Sequence, residues 1–191
     1  MSKGVAISVD SFRVQTQRWA TARGVAYLND TQGFSDRSIY DSLAQARCKL
    51  IVMHSVQRGG KAERFFTDPE GIYATVEAFF LERIRALEDG GIERDRIIID
   101  PGMGFFLVSN AEPSFRMLSS LRRLKEWFGL PIMICVSRKS FLKSVTGRGT
   151  PELGAATLAA ELYAAAQGAD YIRTHDVRAL CDALKVARAL L

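Results

Sequence analysis

The chain has 191 residues, of which 48% are hydrophobic and 25% are charged, and its formal net charge is +5. This composition is typical of a globular protein, and the length predicts one domain over residues 1–191. The sequence does not predict a membrane-spanning helix, because no apolar stretch approaches the roughly 20 residues that such a helix needs. Nucleic-acid binding is not favoured either, since the basic residues alternate with acids along helical faces and no known module is present.

The cysteines and the N-terminus indicate a cytoplasmic protein. Cys48, Cys135 and Cys181 are far apart and form no CxxC pair, which is typical of reduced thiols. The first apolar run ends at Asp10 without the cleavage-site pattern of a secretory signal.

Six apolar, β-branched runs recur along the chain, and each is followed by a polar cluster and then a helical pattern. Continuous apolar runs favour strands that are buried on both faces of a parallel sheet. The predicted strands are Val5–Val9, Val25–Leu28, Leu50–Met53, Ile97–Ile99, Ile132–Val136 and Tyr171–Ile172.

Apolar residues at helical spacing predict the helices between these strands. The first clear stripe runs from Ile72 to Leu87, after the start signal at residues 67–70. A second continuous stripe runs from Phe115 to Phe128. Thr150-Pro151-Glu152 opens an alanine-rich helix, and a last apolar stripe from Val177 to Leu190 closes the chain.

The position of the polar residues decides between an open sheet and a barrel. An open sheet concentrates its chemistry at one switch point, whereas a barrel gathers it from the ends of many strands. Here a polar residue follows every predicted strand: Asp10, Asn29, His54, Asp100, Ser137 and Arg173. The pattern therefore predicts a TIM (β/α)8-barrel architecture, represented by an incomplete barrel of about six βα units.

Three strand-end residues are suited to an aminated, amide-containing heterocycle. Asp10 and Asp100 can accept hydrogen bonds from an N–C–N edge, and Asn29 offers both a donor and an acceptor. Gly104, in the segment DPGMGFF, allows the backbone to approach such a ligand closely. An Asp100 that merely caps its turn is an equally good interpretation of that segment alone.

Two further segments are suited to binding anions. Ser140 begins a predicted helix after Arg138 and Lys139, so it could hold a carboxylate or phosphate, although both cations could simply be solvated. Arg173 and His175 alternate on a strand and could clamp an oxyanion together. A metal site of histidines and carboxylates is conceivable, but no HxH, HExxH or Cys/His spacing supports it.

These motifs together resemble the dihydropteroate synthases. VDSF, YLND, VMHS, DPGMGFF, VSRKSF and YIRTHD occur in this order, and the likeness runs from Gly4 to the C-terminus. The sequence is most similar to the sulfonamide-insensitive, plasmid-type enzymes of this family. The resemblance implies folate biosynthesis, in which 7,8-dihydropterin-6-ylmethyl diphosphate is condensed with 4-aminobenzoate to give dihydropteroate and diphosphate.

The resemblance also implies a role for each site residue. Arg173 and His175 would bind the diphosphate, and Ser140 with Lys139 would bind the aminobenzoate. Mg²⁺ is implied as a cofactor bound with the diphosphate, and a homodimer through the late helices is implied as the assembly. The pterin would be bound by Asp10, Asn29, Met53, Asp100, Gly104, Phe105 and Lys139.

The family's first two βα units have no counterpart in this chain, so we expect Asp10 to belong to the family's third strand. Those units carry the asparagine that helps to bind Mg²⁺, and we therefore predict no metal ligand here. Two alternatives stay open: a catalytically weak or inactive remnant that binds pterin or only oligomerises, and another pterin-binding barrel such as a methyltetrahydrofolate methyltransferase.

Overall fold

The computed structural model describes residues 4–56, 71–104 and 110–190. Within these ranges, six strands alternate with helices in chain order. The strands are β1 (Ser8–Asp10), β2 (Tyr27–Asp30), β3 (Lys49–Met53), β4 (Ile97–Asp100), β5 (Met133–Ile134) and β6 (Tyr171–Ile172). The α-helices are α1 (Val14–Ala22), α2 (Tyr40–Gln45), α3 (Ile72–Asp89), α4 (Glu112–Ser119), α5 (Leu121–Phe128), α6 (Ser140–Thr146), α7 (Gly154–Ala166) and α8 (Val177–Ala189).

Every strand pair in the described residues is parallel, and the strands lie in chain order. The order β1-β2-β3-β4 forms one sheet, and β5-β6 forms a second. A single parallel bridge between Ile99 and Ile132 joins the two sheets. The result is the predicted arc of six βα units.

The two faces of this arc bury different apolar residues. The outer face packs against the helices in a large core that includes Leu50, Val52, Ile97 and Ile99. The inner face carries a small cluster of Ile51, Ile98 and Met133, with Tyr27 packed against it. Because successive strand residues point to opposite faces, the residues two positions further along each strand lie on the inner face as well.

Two predicted strands have shifted or shortened bounds, since β2 is Tyr27–Asp30 and not Val25–Leu28, and β5 is Met133–Ile134 and not Ile132–Val136. Three other predicted elements differ in kind. Val5–Val9 is not a buried strand: β1 begins only at Ser8, and the exposed fractions of Val5 and Ile7 are 75% and 60%. The reason is that β1 is an edge strand, which pairs only with β2. The stripe from Phe115 to Phe128 is two helices, α4 and α5, which meet at Ser120.

The third difference concerns the alanine-rich helix. Residues 150–152 form a separate turn of 3₁₀-helix, and α7 begins only at Gly154. The start signal at residues 67–70 lies outside the described residues.

Two contacts cross the open side of the arc. The rings of Tyr27 and Tyr171 meet edge to face, with centroids 6.1 Å apart. Further toward the carboxyl ends of the strands, Arg173 donates to Asp10 across a distance of 2.9 Å. These contacts connect the β6 side of the arc to its β1 side where no strand lies between them in the described residues.

All three cysteines are free thiols. Among the described helices, none combines the length and the apolar composition needed to cross a membrane.

The free edges of β1 and β6 predict self-association, because unpaired edges with exposed apolar side chains recruit strands of other chains. We expect the weight-average mass in sedimentation experiments to rise with protein concentration. The variant Ile7→Lys places a charge directly before β1, and it should shift this rise in mass to higher protein concentrations. Leu81→Lys is the control, since Leu81 is 51% exposed but lies on α3. Equal effects of the two lysines would contradict a role of the strand edge.

Candidate functional site

The polar strand ends meet on the inner face of the arc. The pairing register places Asp10 beside Asn29 and Met53 beside Asp100. Two of these inner polar residues follow an inner apolar residue by two positions: Asn29 follows Tyr27, and Asp100 follows Ile98. The inner cluster thus forms the floor beneath the site, and the strand ends form its rim.

Asn29 has both of its side-chain polar atoms buried and without a hydrogen-bond partner. The residue is fully buried on β2. Leaving a buried amide unpaired costs about 1–3 kcal/mol for each group, so such a residue calls for an explanation. A ligand with an adjacent donor and acceptor would satisfy both atoms at once.

Asp100 is the buried carboxylate of the site. One of its oxygens accepts a hydrogen bond from the Gly102 N–H at 2.8 Å. Burial raises the pKa of this carboxyl to about 6, against the opposing effects of that hydrogen bond and of the positive charges of Lys139 and Arg173. The carboxyl therefore changes its charge near neutral pH and can accept or share a proton with a ligand.

Arg173 lies close to both acids of the site. It donates to Asp10 at 2.9 Å, and its charge acts on Asp100. Cys135, which follows Met133 on the inner face, is near the same charges, but burial dominates and raises the pKa of its thiol. Asp10, Asn29, Asp100 and Arg173 are therefore brought together on the inner face.

Gly104 connects the rim to the segment that contains Ser140. A Cβ at Gly104 would come within 3.1 Å of the Ser140 hydroxyl and 3.6 Å of Lys139 Cδ, and its φ of +66° favours glycine. Met53 is buried at the end of β3. Phe105, which the resemblance places in the pterin slot, lies outside the described residues.

The structure separates the two histidines. His175 is held at the rim by Ser137, whose hydroxyl lies 2.8 Å from His175 Nδ1 and 3.3 Å from its backbone N–H. His54 is buried instead, with its Nδ1 donating to the Pro101 carbonyl at 3.2 Å and its ring against Phe79. Burial lowers the pKa of His54 to about 4, so it is a neutral, structural residue.

Sequence reasoning missed one buried acid near the rim. Glu161 lies on α7 with an exposed fraction of 1%, and it lines a small cavity together with Thr174 and His175. Its signal in the sequence is weak: a single acid within the alanine-rich run AATLAAELYAAA. On an amphipathic helix such an acid is normally assigned to the solvent face.

No protein-held metal centre is present among the described ranges, where no group of three or more histidine, cysteine or acidic side chains lies close enough to hold an ion. Asp10, the exposed acid at the rim, is already paired with Arg173. The described residues therefore do not fit a resident Mg²⁺ site.

A parallel βα arc with a ring of strand-end polar groups defines an enzyme of the barrel class, whose sites lie at the carboxyl ends of the strands. Comparison with known proteins identifies the family to which the chain belongs within this class. The family model described as "Pterin binding enzyme" matches residues 1–175. The chain is 50% identical over 188 residues to dihydropteroate synthase type-3 of Escherichia coli, covering 98% of this chain and 72% of that protein.

Solved structures agree with this relationship. The dihydropteroate synthase of Xanthomonas albilineans in complex with 7,8-dihydropteroate superposes with a TM-score of 0.85 at 35% identity, covering 97% of this chain and 67% of that one. The same enzyme with 4-aminobenzoic acid gives a TM-score of 0.86 at 36% identity, covering 97% and 65%. The chain belongs to the pterin-binding enzymes, and within them to the dihydropteroate synthases.

The raised pKa of Asp100 predicts a pH-dependent effect of Asp100→Asn. The folded state favours the neutral acid, so the contribution of Asp100 to stability is greatest below the ordinary pKa of 3.8 and is lost as pH rises through about 6. Asparagine does not ionise, so the variant does not lose stability in this way as the pH rises. We therefore expect its free energy of unfolding, relative to wild type, to increase by up to about 3 kcal/mol between pH 4 and pH 7. Urea denaturation at several pH values measures this, and two parallel stability curves would contradict it.

Proposed function

We propose that this chain binds the dihydropterin diphosphate substrate of a dihydropteroate synthase as one domain over residues 1–191. The observation that carries the proposal is the unpartnered amide of Asn29 on β2 together with the buried carboxyl of Asp100 on β4, both at the inner-face ends of their strands. A pterin presents an amino-amide edge whose donors and acceptor would satisfy these groups. Met53, Gly104, Phe105 and Lys139 would complete the slot, and Asp10 would bind the ring's far edge after release from Arg173.

The second part of the proposal assigns protein residues to the anionic groups of the two substrates. Arg173 and His175 bind the diphosphate, because both follow the end of β6 and Arg173 lies beside the acids that hold the ring. Ser140 and Lys139 bind the carboxylate of 4-aminobenzoate, which is supported by their position next to Gly104. The bound dihydropteroate and 4-aminobenzoic acid in the relatives from Xanthomonas albilineans support these substrates.

The reaction proposed for this site is a substitution at the pterin methylene carbon. The bond from that carbon to the diphosphate oxygen breaks, and its electron pair leaves with the diphosphate, whose charge Arg173 and His175 stabilise. The aminobenzoate nitrogen then uses its lone pair to form the new C–N bond. The proton lost from nitrogen passes to the departing diphosphate or to water. Such a reaction depends on positioning and charge stabilisation more than on a strong base.

We propose that Mg²⁺ binds together with the diphosphate group of the substrate. The described residues do not fit a protein-held ion, whereas diphosphate oxygens are ligands that Mg²⁺ prefers. The ion would neutralise part of the leaving-group charge that Arg173 faces.

We also propose a homodimer through the late helices, in line with the resemblance. A groove of about 570 Å³ between α4, α6 and α7 supports it, because its lining is mainly apolar and includes the exposed residues Val145 and Tyr163. None of the proposed substrate-binding residues lines this groove.

Asp100→Ala tests the pterin slot. The variant would leave part of the pterin edge unpaired, which costs about 1–3 kcal/mol and lowers affinity about tenfold to a hundredfold. Titration calorimetry with a pterin carboxylic acid measures this loss. Asp89→Ala is the control, since Asp89 is a solvent-exposed acid at the end of α3. Equal pterin affinities of wild type and Asp100→Ala would overturn the assignment of the slot.

Turnover tests the complete activity. The chain covers 72% of the type-3 relative. Two proteins should be compared: this chain, and the same chain joined before Gly4 to the two N-terminal βα units that the resemblance implies for such a relative. We expect the joined protein to form dihydropteroate at least about a hundredfold faster, because losing charge stabilisation at the leaving group is worth several kcal/mol. Comparable rates would show that the added units are dispensable.

Two other outcomes separate the alternatives. Pterin binding without turnover by either protein would favour a remnant. Methyl transfer from methyltetrahydrofolate would favour the methyltransferase alternative, which the diphosphate-clamp residues do not support.

A further inference from the structure

Gln17 is a polar residue on the buried side of helix α1. Its exposed fraction is 1%, and the other buried residue of this helix is Ala20. An apolar side chain normally occupies such a position, because burying an amide is costly unless its hydrogen bonds are satisfied. The hydrogen-bond partners of Gln17 therefore have to account for its presence.

The amide nitrogen of Gln17 connects two segments of the chain. Nε2 donates to the Ser11 carbonyl at 2.9 Å and to Asp30 Oδ2 at 2.8 Å. Since a side-chain amide nitrogen carries two hydrogens, it can donate one to each acceptor. Ser11 directly follows Asp10 at the end of β1. Asp30 directly follows Asn29 and is the last residue of β2.

The Asp30 end of this connection is firmly anchored. Strand β2 is paired on both sides, with β1 and with β3, and Asp30 itself lies opposite Val52. The Asp30 carboxylate is buried and accepts hydrogen bonds from the backbone N–H groups of Gln32 at 2.7 Å and Phe34 at 3.1 Å. Because side chains alternate along a strand, Asp30 faces the helices where Asn29 faces the site.

The Ser11 end belongs to a strand with fewer supports. In the described structure, β1 has three residues and is paired only with β2. One backbone hydrogen bond, from the Ser11 N–H to the Asn29 carbonyl at 3.0 Å, continues this pairing past Asp10. Gln17 adds a second hydrogen bond to Ser11 from the side of the helix. The end of β1 is thus held both by its neighbouring strand and by α1.

We propose that Gln17 is a positioning residue, which ties the end of β1 to the anchored end of β2 and so holds Asp10 at a fixed separation from Asn29. This inference rests on the proposed function, in which Asp10 and Asn29 bind different parts of one pterin ring. The pairing register places these two residues side by side. Gln17 does not touch the substrate. It restricts the movement of an edge strand whose last residue has to meet a rigid ligand.

A small set of variants separates this role from general packing. Gln17→Met keeps a long, unbranched side chain and removes both donors. Gln15→Met is the matched control, because Gln15 lies on the same helix with an exposed side chain. Asp10→Ala, alone and combined with Gln17→Met, measures whether the effect of Gln17 passes through Asp10.

The first measurement needs no ligand. Arg173 donates a hydrogen bond to Asp10 at 2.9 Å, so the guanidinium signals of Arg173 in NMR spectra report the position of Asp10. We expect Gln17→Met to shift these signals and Gln15→Met to leave them unchanged. In the Asp10→Ala background, Gln17→Met should cause no further shift, because the proposed connection from Gln17 to Arg173 runs through Ser11 and Asp10.

The second measurement is the affinity for a pterin carboxylic acid, obtained by titration calorimetry. Gln17→Met should weaken pterin binding about fivefold, whereas Gln15→Met should remain within about twofold of wild type. In the Asp10→Ala background, Gln17→Met should change the affinity by less than about twofold. The reason is that a fixed separation matters only when both Asp10 and Asn29 bind the ring.

The possible failures are distinguishable. Unchanged Arg173 signals or unchanged pterin affinity in folded Gln17→Met would overturn the positioning role. Equal losses of affinity with and without the Asp10 side chain would also overturn it, because they would indicate a general structural defect. If the wild-type chain binds no pterin, the proposed slot is wrong, and the Arg173 signals still decide whether Gln17 positions Asp10. If Gln17→Met does not fold, Gln17→Ala takes its place in both measurements, because the space that it leaves admits water to the two acceptors.

Discussion

The alternation of side chains along parallel strands is the constraint on which the site depends. On the inner face, Tyr27, Ile51, Ile98, Met133 and Tyr171 are each followed, two residues later, by a residue at the rim: Asn29, Met53, Asp100, Cys135 and Arg173. Apolar contacts below and polar groups above are thus two layers of one pattern. A shift of one residue in the pairing of any strand would turn its rim residue toward the helices.

This two-layer pattern explains why much of the site could be predicted from sequence. Polar residues follow directly after the apolar run of each buried strand, so Asn29 and Asp100 could be placed at one edge without any coordinates. The parallel order of the strands and the barrel class follow from the same runs. Six ordered motifs then pointed to one family, which the comparisons established.

Other features could not be predicted because they depend on partners distant in sequence. His54 and His175 both follow strands, yet only the fold shows that one is packed against Phe79 and the other is held at the rim. Glu161 looks like an ordinary helix acid until α7 is placed against the end of β6. The exposure of Val5 and Ile7 likewise depends on which strands lie beside β1, a property that a local apolar run does not contain.

The site also carries buried polar groups that are costly to the fold. The amide of Asn29 has no partner, and Asp100 is buried strongly enough to raise its pKa to about 6. An apolar residue at either position would remove the cost of burying an unpaired polar group. Retaining polar groups in a rigid, buried position is the arrangement expected of a pre-organised binding site, whose unmet hydrogen bonds are completed by the ligand.

The ion pair between Arg173 and Asp10 has a thermodynamic consequence for this open arc. Under the proposed roles, the two partners separate when each takes up its own part of the substrate, so occupancy of the site and bridging of the open side compete. Linkage is reciprocal, so whatever strengthens this ion pair weakens ligand binding by the same factor by which the bound ligand weakens the ion pair. The described arc would therefore be bridged less firmly between β1 and β6 in its occupied state than in its empty state.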